Sequence, residues 1–135
     1  MAIFEWQDRL LTGVQEIDEH HRHLVGLLNS TYQDFLRHAP SVLLAKLFEE
    51  LVDYATYHFA AEEALMLESG YPGLLQHKEE HDQFSRSVVE MHRNFLEKQQ
   101  PFFLEILTFL QTWLESHILK SDGEFGRFLA QQNMK

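Results

Sequence analysis

Apolar residues recur along this chain at alternating spacings of three and four, the period of helices that bury one face. An arm over residues 1–16 carries Phe4, Trp6, Leu10 and Leu11 and breaks at Gly13. A first stripe then runs through Ile17, Leu24, Leu28 and Phe35. Asp18 is placed to cap that helix, which extends to about Arg37. Pro40 and Ser41 open a second helix with the stripe Leu47, Leu51, Tyr54, His58, Glu62 and Leu65, and Gly70 ends it. Pro72 suits the first turn of a third helix, whose stripe is His77, His81, Phe84, Val88, Met91 and Phe95. Pro101 opens a fourth with Phe103, Ile106, Leu110, Trp113 and His117. Gly123 interrupts it, and a tail helix with Phe125, Phe128 and Leu129 follows. Strand patterns, repeats and low-complexity linkers are absent from the sequence. Short turns between long helices predict an all-α fold, an antiparallel up-down-up-down four-helix bundle over about 17–122. The N-terminal arm and a short C-terminal helix at about 124–132 complete a single domain spanning 1–135.

The stripes turn polar at one level only. In a helical hairpin, two residues lie at the same height when their midpoint falls in the turn. The midpoint of His21 and His58 falls in Ala39-Pro40. His58 with His81, and Glu62 with His77, share a midpoint between Ser69 and Gly70. His81 with His117, and His77 with Asp122, centre on Gln99-Gln100, just before Pro101. Three hairpins thus place His21, His58, Glu62, His77, His81, His117 and Asp122 in one layer. Residues four apart share a helix face, so His58 and Glu62 can address one site, as can His77 and His81. Either pair alone is weak, and a lone His117 is more often a packed or surface histidine. The seven in register point to a metal, because imidazoles and carboxylates are costly in an apolar core unless something satisfies them.

Composition narrows the metal and the partners. The chain has 135 residues, is 44% hydrophobic and 13% aromatic, and carries a net charge of −10. It can bury a core, and its charge argues against nucleic acid and anionic membranes. With no cysteine, a metal must be held by nitrogen and oxygen. Glu5, Asp8, Arg9 and Glu16 leave no secretory-signal pattern at the start. The most apolar stretch, Phe102 to Leu114, is broken by Glu105 and Gln111 and is too short to span a bilayer. A soluble, cytoplasmic protein is expected.

Seven donors exceed a tetrahedral zinc site. Five imidazoles and two carboxylates able to bridge suit two metals ~3.5–4 Å apart. Two ferrous ions with two carboxylates and one hydroxide leave a centre near +1. So few anionic donors stabilise high-valent iron poorly, which favours reversible O2 binding over O2 cleavage.

These residues resemble the hemerythrin family, in particular its single-domain bacterial branch. The resemblance runs nearly the full length. It covers the Trp6 arm, Gly13, Ile17-Asp18-Glu19-His20-His21, His58-Phe59-Ala60-Ala61-Glu62-Glu63, Gly70-Tyr71-Pro72, His77-Lys78-Glu79-Glu80-His81, Trp113-Leu114-Glu115-Ser116-His117-Ile118 and Asp122. It implies two iron ions joined by an oxo or hydroxo bridge. His77, His81 and His117 would hold one, His21 and His58 the other, with Glu62 and Asp122 bridging. The two-histidine iron would keep an open position for O2. The implied function is reversible O2 binding for storage, delivery or sensing, by a binding protein rather than an enzyme, with an unidentified oxygen-recipient protein as a further partner. The alternative is a di-iron enzyme handling peroxide or nitric oxide.

Members of that family usually carry Gln just before the first-helix histidine, and here that residue is His20. His20 and His23 are therefore competing candidates for the helix-one donor, although stripe and turn midpoint favour His21. His20, His23, His38 and His92 are expected on helix flanks or solvent faces, with a tuning role as the sharper reading for His20. The acidic runs Glu49-Glu50, Glu62-Glu63 and Glu79-Glu80 are expected to be solvated except for Glu62. Asp122 carries one further constraint. It lies five residues after His117, which turns a regular helix ~500°, about 140° off the starting face. For Asp122 to join the site, the helix must widen into a π-turn or end between Leu119 and Gly123.

Overall fold

The structure, a computed structural model, describes residues 2–98 and 103–133. Four long helices form the expected antiparallel bundle: α1 (Gln15–Leu36), α2 (Ser41–Ser69), α3 (Leu74–Lys98) and α4 (Phe103–His117). A tail helix, α5 (Gly123–Asn133), follows. α1 packs on α2 and α4, and α2 on α3. Aromatic contacts tie α3 to α4: Phe84 lies 4.3 Å from Trp113 and Phe95 5.4 Å from Phe103, centroid to centroid. Among the described residues no helix is long and apolar enough to cross a membrane. The expected opening of α4 at Pro101, and the turn at Gln99-Gln100, lie outside the described residues.

The stripes of α1, α3 and α4 bury most of the residues that periodicity selects, among them Ile17, Leu24, Leu28, Phe84, Val88, Phe95, Ile106 and Leu110, with Phe35, Met91 and Trp113 half-buried. α2 is different. It buries Leu44, Phe48, Leu51, Ala55, His58, Glu62 and Met66, while Leu47, Tyr54 and Leu65 are only half-buried. Its first half is apolar on two adjacent faces, and periodicity alone does not choose between them. The helix closes at Gly70, whose left-handed φ of 70° lets the Tyr71 N–H reach back to the Met66 carbonyl at 2.9 Å. Pro72 sits in the turn before α3 rather than in its first turn.

Asp18 does not cap α1. The helix starts earlier, at Gln15, with Val14 at the cap position. The Asp18 carboxylate instead accepts from Thr12 N–H and Oγ1, both at 2.8 Å, and from Gly13 N–H at 3.2 Å. It gathers donors that the left-handed Gly13 turn leaves unpaired. The arm is held again where Asn29 donates to the Phe4 carbonyl and accepts from its N–H. Phe4 and Leu10 are buried, and Arg22 lies over the Trp6 ring at 5.1 Å.

Gly123 is not a break, since its φ of −61° and ψ of −40° are helical. The irregularity lies just before it, where Ile118–Asp122 form a π-turn. α4 and α5 are one helical path with a residue absorbed at the joint. Beyond the joint, Phe125 is fully buried with Ile17 and Met66.

Candidate metal centre

Each bundle helix brings its polar residues to one level, and the π-turn adds the last. α1 supplies His21, α2 His58 and Glu62, α3 His77 and His81, and α4 His117. All six are buried, as is Asp122 on the π-turn. Regular helix would turn Ser121 toward the His117 face. The π-turn brings Asp122 there instead, as the five-residue spacing demands.

The geometry divides each carboxylate between two sets of histidines. Glu62 Oε1 lies 2.6 Å from His77 Nε2, 3.2 Å from His81 Nε2 and 4.0 Å from His117 Nε2. Its other oxygen, Oε2, lies 3.3 Å from His58 Nε2 and 3.9 Å from His21 Nε2. Asp122 repeats the division. Its Oδ1 is 2.9 Å from His77 Nε2 and 3.3 Å from His117 Nε2, and its Oδ2 is 2.9 Å from His21 Nε2. Two donor sets result. One is Glu62, His77, His81, His117 and Asp122; the other is His21, His58, Glu62 and Asp122. Within each, the ligand atoms lie within 4.8 Å of one another.

Several of these atoms are buried with no hydrogen bond: His21 Nε2, His58 Nε2, Glu62 Oε2 and both Asp122 oxygens. The short separations there lack the alignment of hydrogen bonds. Buried polar atoms left this way cost about 1–3 kcal/mol each. A pair of cations, one in each set, would satisfy them together, so the residues fit a dinuclear metal site. The all-nitrogen-and-oxygen donor set suits iron.

The electrostatics of the metal-free protein agree. Burial and the charge of Asp122 push Glu62 up, but contacts from His58, His77 and His81 outweigh them and hold it at about 2. Burial likewise opposes ionisation of Asp122, yet His117, His21 and His77 hold it well below the usual carboxylate range. Burial lowers His77 and His117, but Asp122 and Glu62 raise His77 to about 9, and Asp122 and Glu80 raise His117 to about 10. Without metal, protons on imidazole supply the positive charge that the two carboxylates require.

Behind the donors lies a ring of outer partners that periodicity assigned to solvent. His81 Nδ1 donates to Glu63 Oε2 at 2.8 Å, and His117 Nδ1 to Glu80 Oε1 at 3.0 Å. Ser121 Oγ also donates to Glu80 Oε1, at 2.7 Å. The hydrogen bond from His117, then that from Ser121, hold Glu80 at about 2 against burial. Glu63 and Glu80 are thus not solvated faces, unlike Glu49, Glu50 and Glu79. The available signal was their place beside a donor in sequence, about 100° round the helix, on a flank that meets the next helix. His20 joins this ring from the flank of α1. It is half-buried, and its Nδ1 lies 3.0 Å from His58 Nδ1. Burial, then the neighbouring His58, lowers its pKa. His23 and His38 are exposed, and His92 is half-buried against Phe48. Among the described residues, none of these four joins either donor set.

Aromatic rings wall the centre. Phe59 stacks on His81 at 3.9 Å with 8° between planes, and Trp113 stacks on His117 at 4.5 Å with 14°.

A profile of the hemerythrin HHE cation binding domain matches residues 12–129. The chain is 36% identical to a bacteriohemerythrin of Stenotrophomonas maltophilia (strain R551-3) over 127 residues, 93% of this chain and 80% of that one. It is 33% identical to a bacteriohemerythrin of Clostridium acetobutylicum over 128 residues, covering 91% and 98%. A crystal structure of wild-type hemerythrin superposes with a TM-score of 0.86 at 26% identity, covering 93% of this chain and 97% of that one.

Proposed function

The chain belongs to the hemerythrin family and is of the bacteriohemerythrin type, and from that premise we propose that it binds O2 reversibly at a non-haem di-iron centre. The observation that carries the reading is the division of the carboxylates. Glu62 and Asp122 each offer one oxygen to the three-histidine set and the other to the two-histidine set. Each can therefore bridge two ions. The donor count then differs between the positions, five against four. An oxo or hydroxo bridge would raise these to six and five, leaving the His21–His58 position with room for one small ligand. Two ferrous ions, one in each set, would supply one electron each to O2 taken up there.

The surrounding residues favour carriage over turnover. Phe59 and Trp113 cover ring faces of His81 and His117 and keep water from that side. The acids outside the donor sets that hydrogen-bond donor histidines, Glu63 and Glu80, are engaged at outer ring nitrogens. They hold rings in place rather than standing ready to deliver a proton. Storage, delivery and sensing all use this property, and the reading takes the protein to act in the cytoplasm.

Anaerobic reduction of the iron-loaded protein followed by an O2-titrated visible spectrum tests the proposal. Colour should develop on oxygenation, bleach on evacuation and return on a second cycle. Multiple-turnover consumption of peroxide or nitric oxide, or an oxygenated form that evacuation cannot reverse, would move the assignment to an enzyme.

A further inference from the structure

The two donor sets differ in what stands behind their imidazoles. In the five-donor set, His81 and His117 donate their outer protons to carboxylates, Glu63 and Glu80. In the four-donor set, His21 Nδ1 is buried with no partner, and His58 Nδ1 meets another imidazole, His20 Nδ1, at 3.0 Å. At that separation one nitrogen donates and the other accepts. His58 Nε2 faces Glu62 Oε2 at 3.3 Å and must be bare to hold a metal. A neutral imidazole then carries its proton on Nδ1, so His58 donates and His20 accepts through a lone pair.

His20 is itself braced. Its ring packs at 5.9 Å from Tyr54 and 5.4 Å from Tyr57, centroid to centroid, the first at 83° and the second at 53°. Both tyrosines lie on α2, in the turn before His58. The acceptor is therefore fixed against the same helix as the ring it orients. A carboxylate acceptor draws the proton toward itself and makes the imidazole a stronger donor to metal. A neutral acceptor fixes tautomer and orientation with less effect on donor strength.

We propose that His20 is a positioning residue for His58: it locks the ring with Nε2 toward the centre while leaving it a weaker donor than His81 or His117, so that the four-donor position fills second and holds its metal less tightly. This rests on the two-metal reading of the centre. It also gives a reason for a neutral acceptor here. The position argued to take up O2 is served by imidazoles without carboxylate support, while the five-donor position carries two such supports.

The test is a titration of the metal-free full-length protein with Co2+, followed by calorimetry and by the visible bands of the bound ion. The native chain should take up two ions in two steps. His20→Leu removes the acceptor and should weaken the second step by about 10–100-fold, leaving the first unchanged. His20→Gln, whose amide oxygen can accept, should restore the second step. His20→Glu, with a carboxylate acceptor on a side chain of the same length, should tighten it beyond the Gln variant. A second step unmoved in His20→Leu, equal weakening in His20→Leu and His20→Gln, or a Glu variant no tighter than Gln would each overturn the proposal. If His20→Leu does not fold, the Glu and Gln pair decides alone. A native chain that binds a single ion sinks the two-metal reading and this inference with it. Two native steps with unresponsive variants sink the inference only.

Discussion

Exchanging two neighbours, Ser121→Asp with Asp122→Ser, asks what holds the π-turn in place. His117 and Phe125 are eight residues apart, which in regular helix leaves them about 80° out of phase. A π-turn absorbs one residue and reduces the offset to about that of seven, roughly 20°. Both residues are buried, His117 at the centre and Phe125 against Ile17 and Met66. If those two burials set the register, the exchanged chain keeps its π-turn and its carboxylate goes to the wrong place. Position 121 now places its hydroxyl 2.7 Å from Glu80 Oε1. A carboxylate there would stand about 4 Å from another, a repulsion of about 4 kcal/mol at an effective dielectric of 20. The Glu80 side chain is 35% exposed, so screening reduces this to about 1–2 kcal/mol. Position 122 loses a buried anion that serves His21, His77 and His117, worth about 3–5 kcal/mol when one partner of a buried pair is removed. The metal-free variant should therefore be about 4–7 kcal/mol less stable by urea unfolding, a large share of a small domain's 5–15 kcal/mol. Elemental analysis should find the four-donor position, cut to three donors, empty and no more than about one iron per chain, since the five-donor set keeps four. Ser121→Ala, the control, should keep its iron. An exchanged variant holding two irons at native stability would show that the carboxylate, and not the packing of α5, chooses the register.

Four further outcomes are expected. His21→Ala cuts the four-donor set to three and leaves the five-donor set whole, so iron should fall from about two to about one per chain; loss of both ions would contradict the separation into two sets. In the metal-free protein, His77 and His117 titrate at about 9 and about 10 against 6.5, so their contribution to stability is complete below pH 6.5 and lost as pH rises through those values. Glu62, at about 2 against 4.5, contributes above 4.5 and fails as pH falls toward 2; urea midpoints should plateau between about pH 4.5 and 6.5 and decline on both sides, and a rise toward pH 10 would refute the assignment. Gly126→Ala would drive a Cβ into the Thr12 carbonyl oxygen; it should cost about 1–3 kcal/mol and expose the arm to protease, and unchanged melting and cleavage would show that the arm does not dock there. Phe59→Ala uncovers the face of His81; it should lower stability by about 3–5 kcal/mol and speed oxidation of the oxygenated form more than it lowers iron content, and the reverse order would make Phe59 a packing residue alone.

Most of the centre could be read from the chain because its signal was a violation. Core stripes turn polar at one height, and each hairpin's turn reports that height separately. The π-turn was legible for a related reason: a spacing of five from His117 to Asp122 does not fit a regular helix whose two ends both face inward. What escaped depended on contacts between elements. α2 has two apolar faces in its first half, so the choice of Leu44 and Phe48 over Leu47 is made by α1 and α3. Asp18 has the residue type and place of a cap, but the donors it serves lie in the arm before the helix. Glu63 and Glu80 sit on helix flanks, where the partner across the gap, not the helix's own period, decides whether a side chain is solvated.

The metal-free state also decides how the centre assembles. Small metal domains often fold only when the ion arrives, because their ligands repel one another or lie unpaired without it. Here two buried carboxylates face two imidazoles whose pKa values are raised, so the donor layer approaches charge balance before any metal binds. The apolar rows on either side of that layer, Leu24, Leu28, Phe84 and Leu110 on one and Ile17, Met66 and Phe125 on the other, are complete without it. A folded, protonated receptor is the consequence, and loading becomes an exchange of imidazole protons for cations. Such an exchange grows more favourable as pH rises, in the same range where the metal-free protein loses its own stabilisation. Metal and protons thus compete for one set of atoms, and the nitrogens that make no aligned hydrogen bond, His21 Nε2 and His58 Nε2, face Asp122 Oδ2 and Glu62 Oε2, where a cation in the four-donor set would satisfy nitrogen and oxygen together.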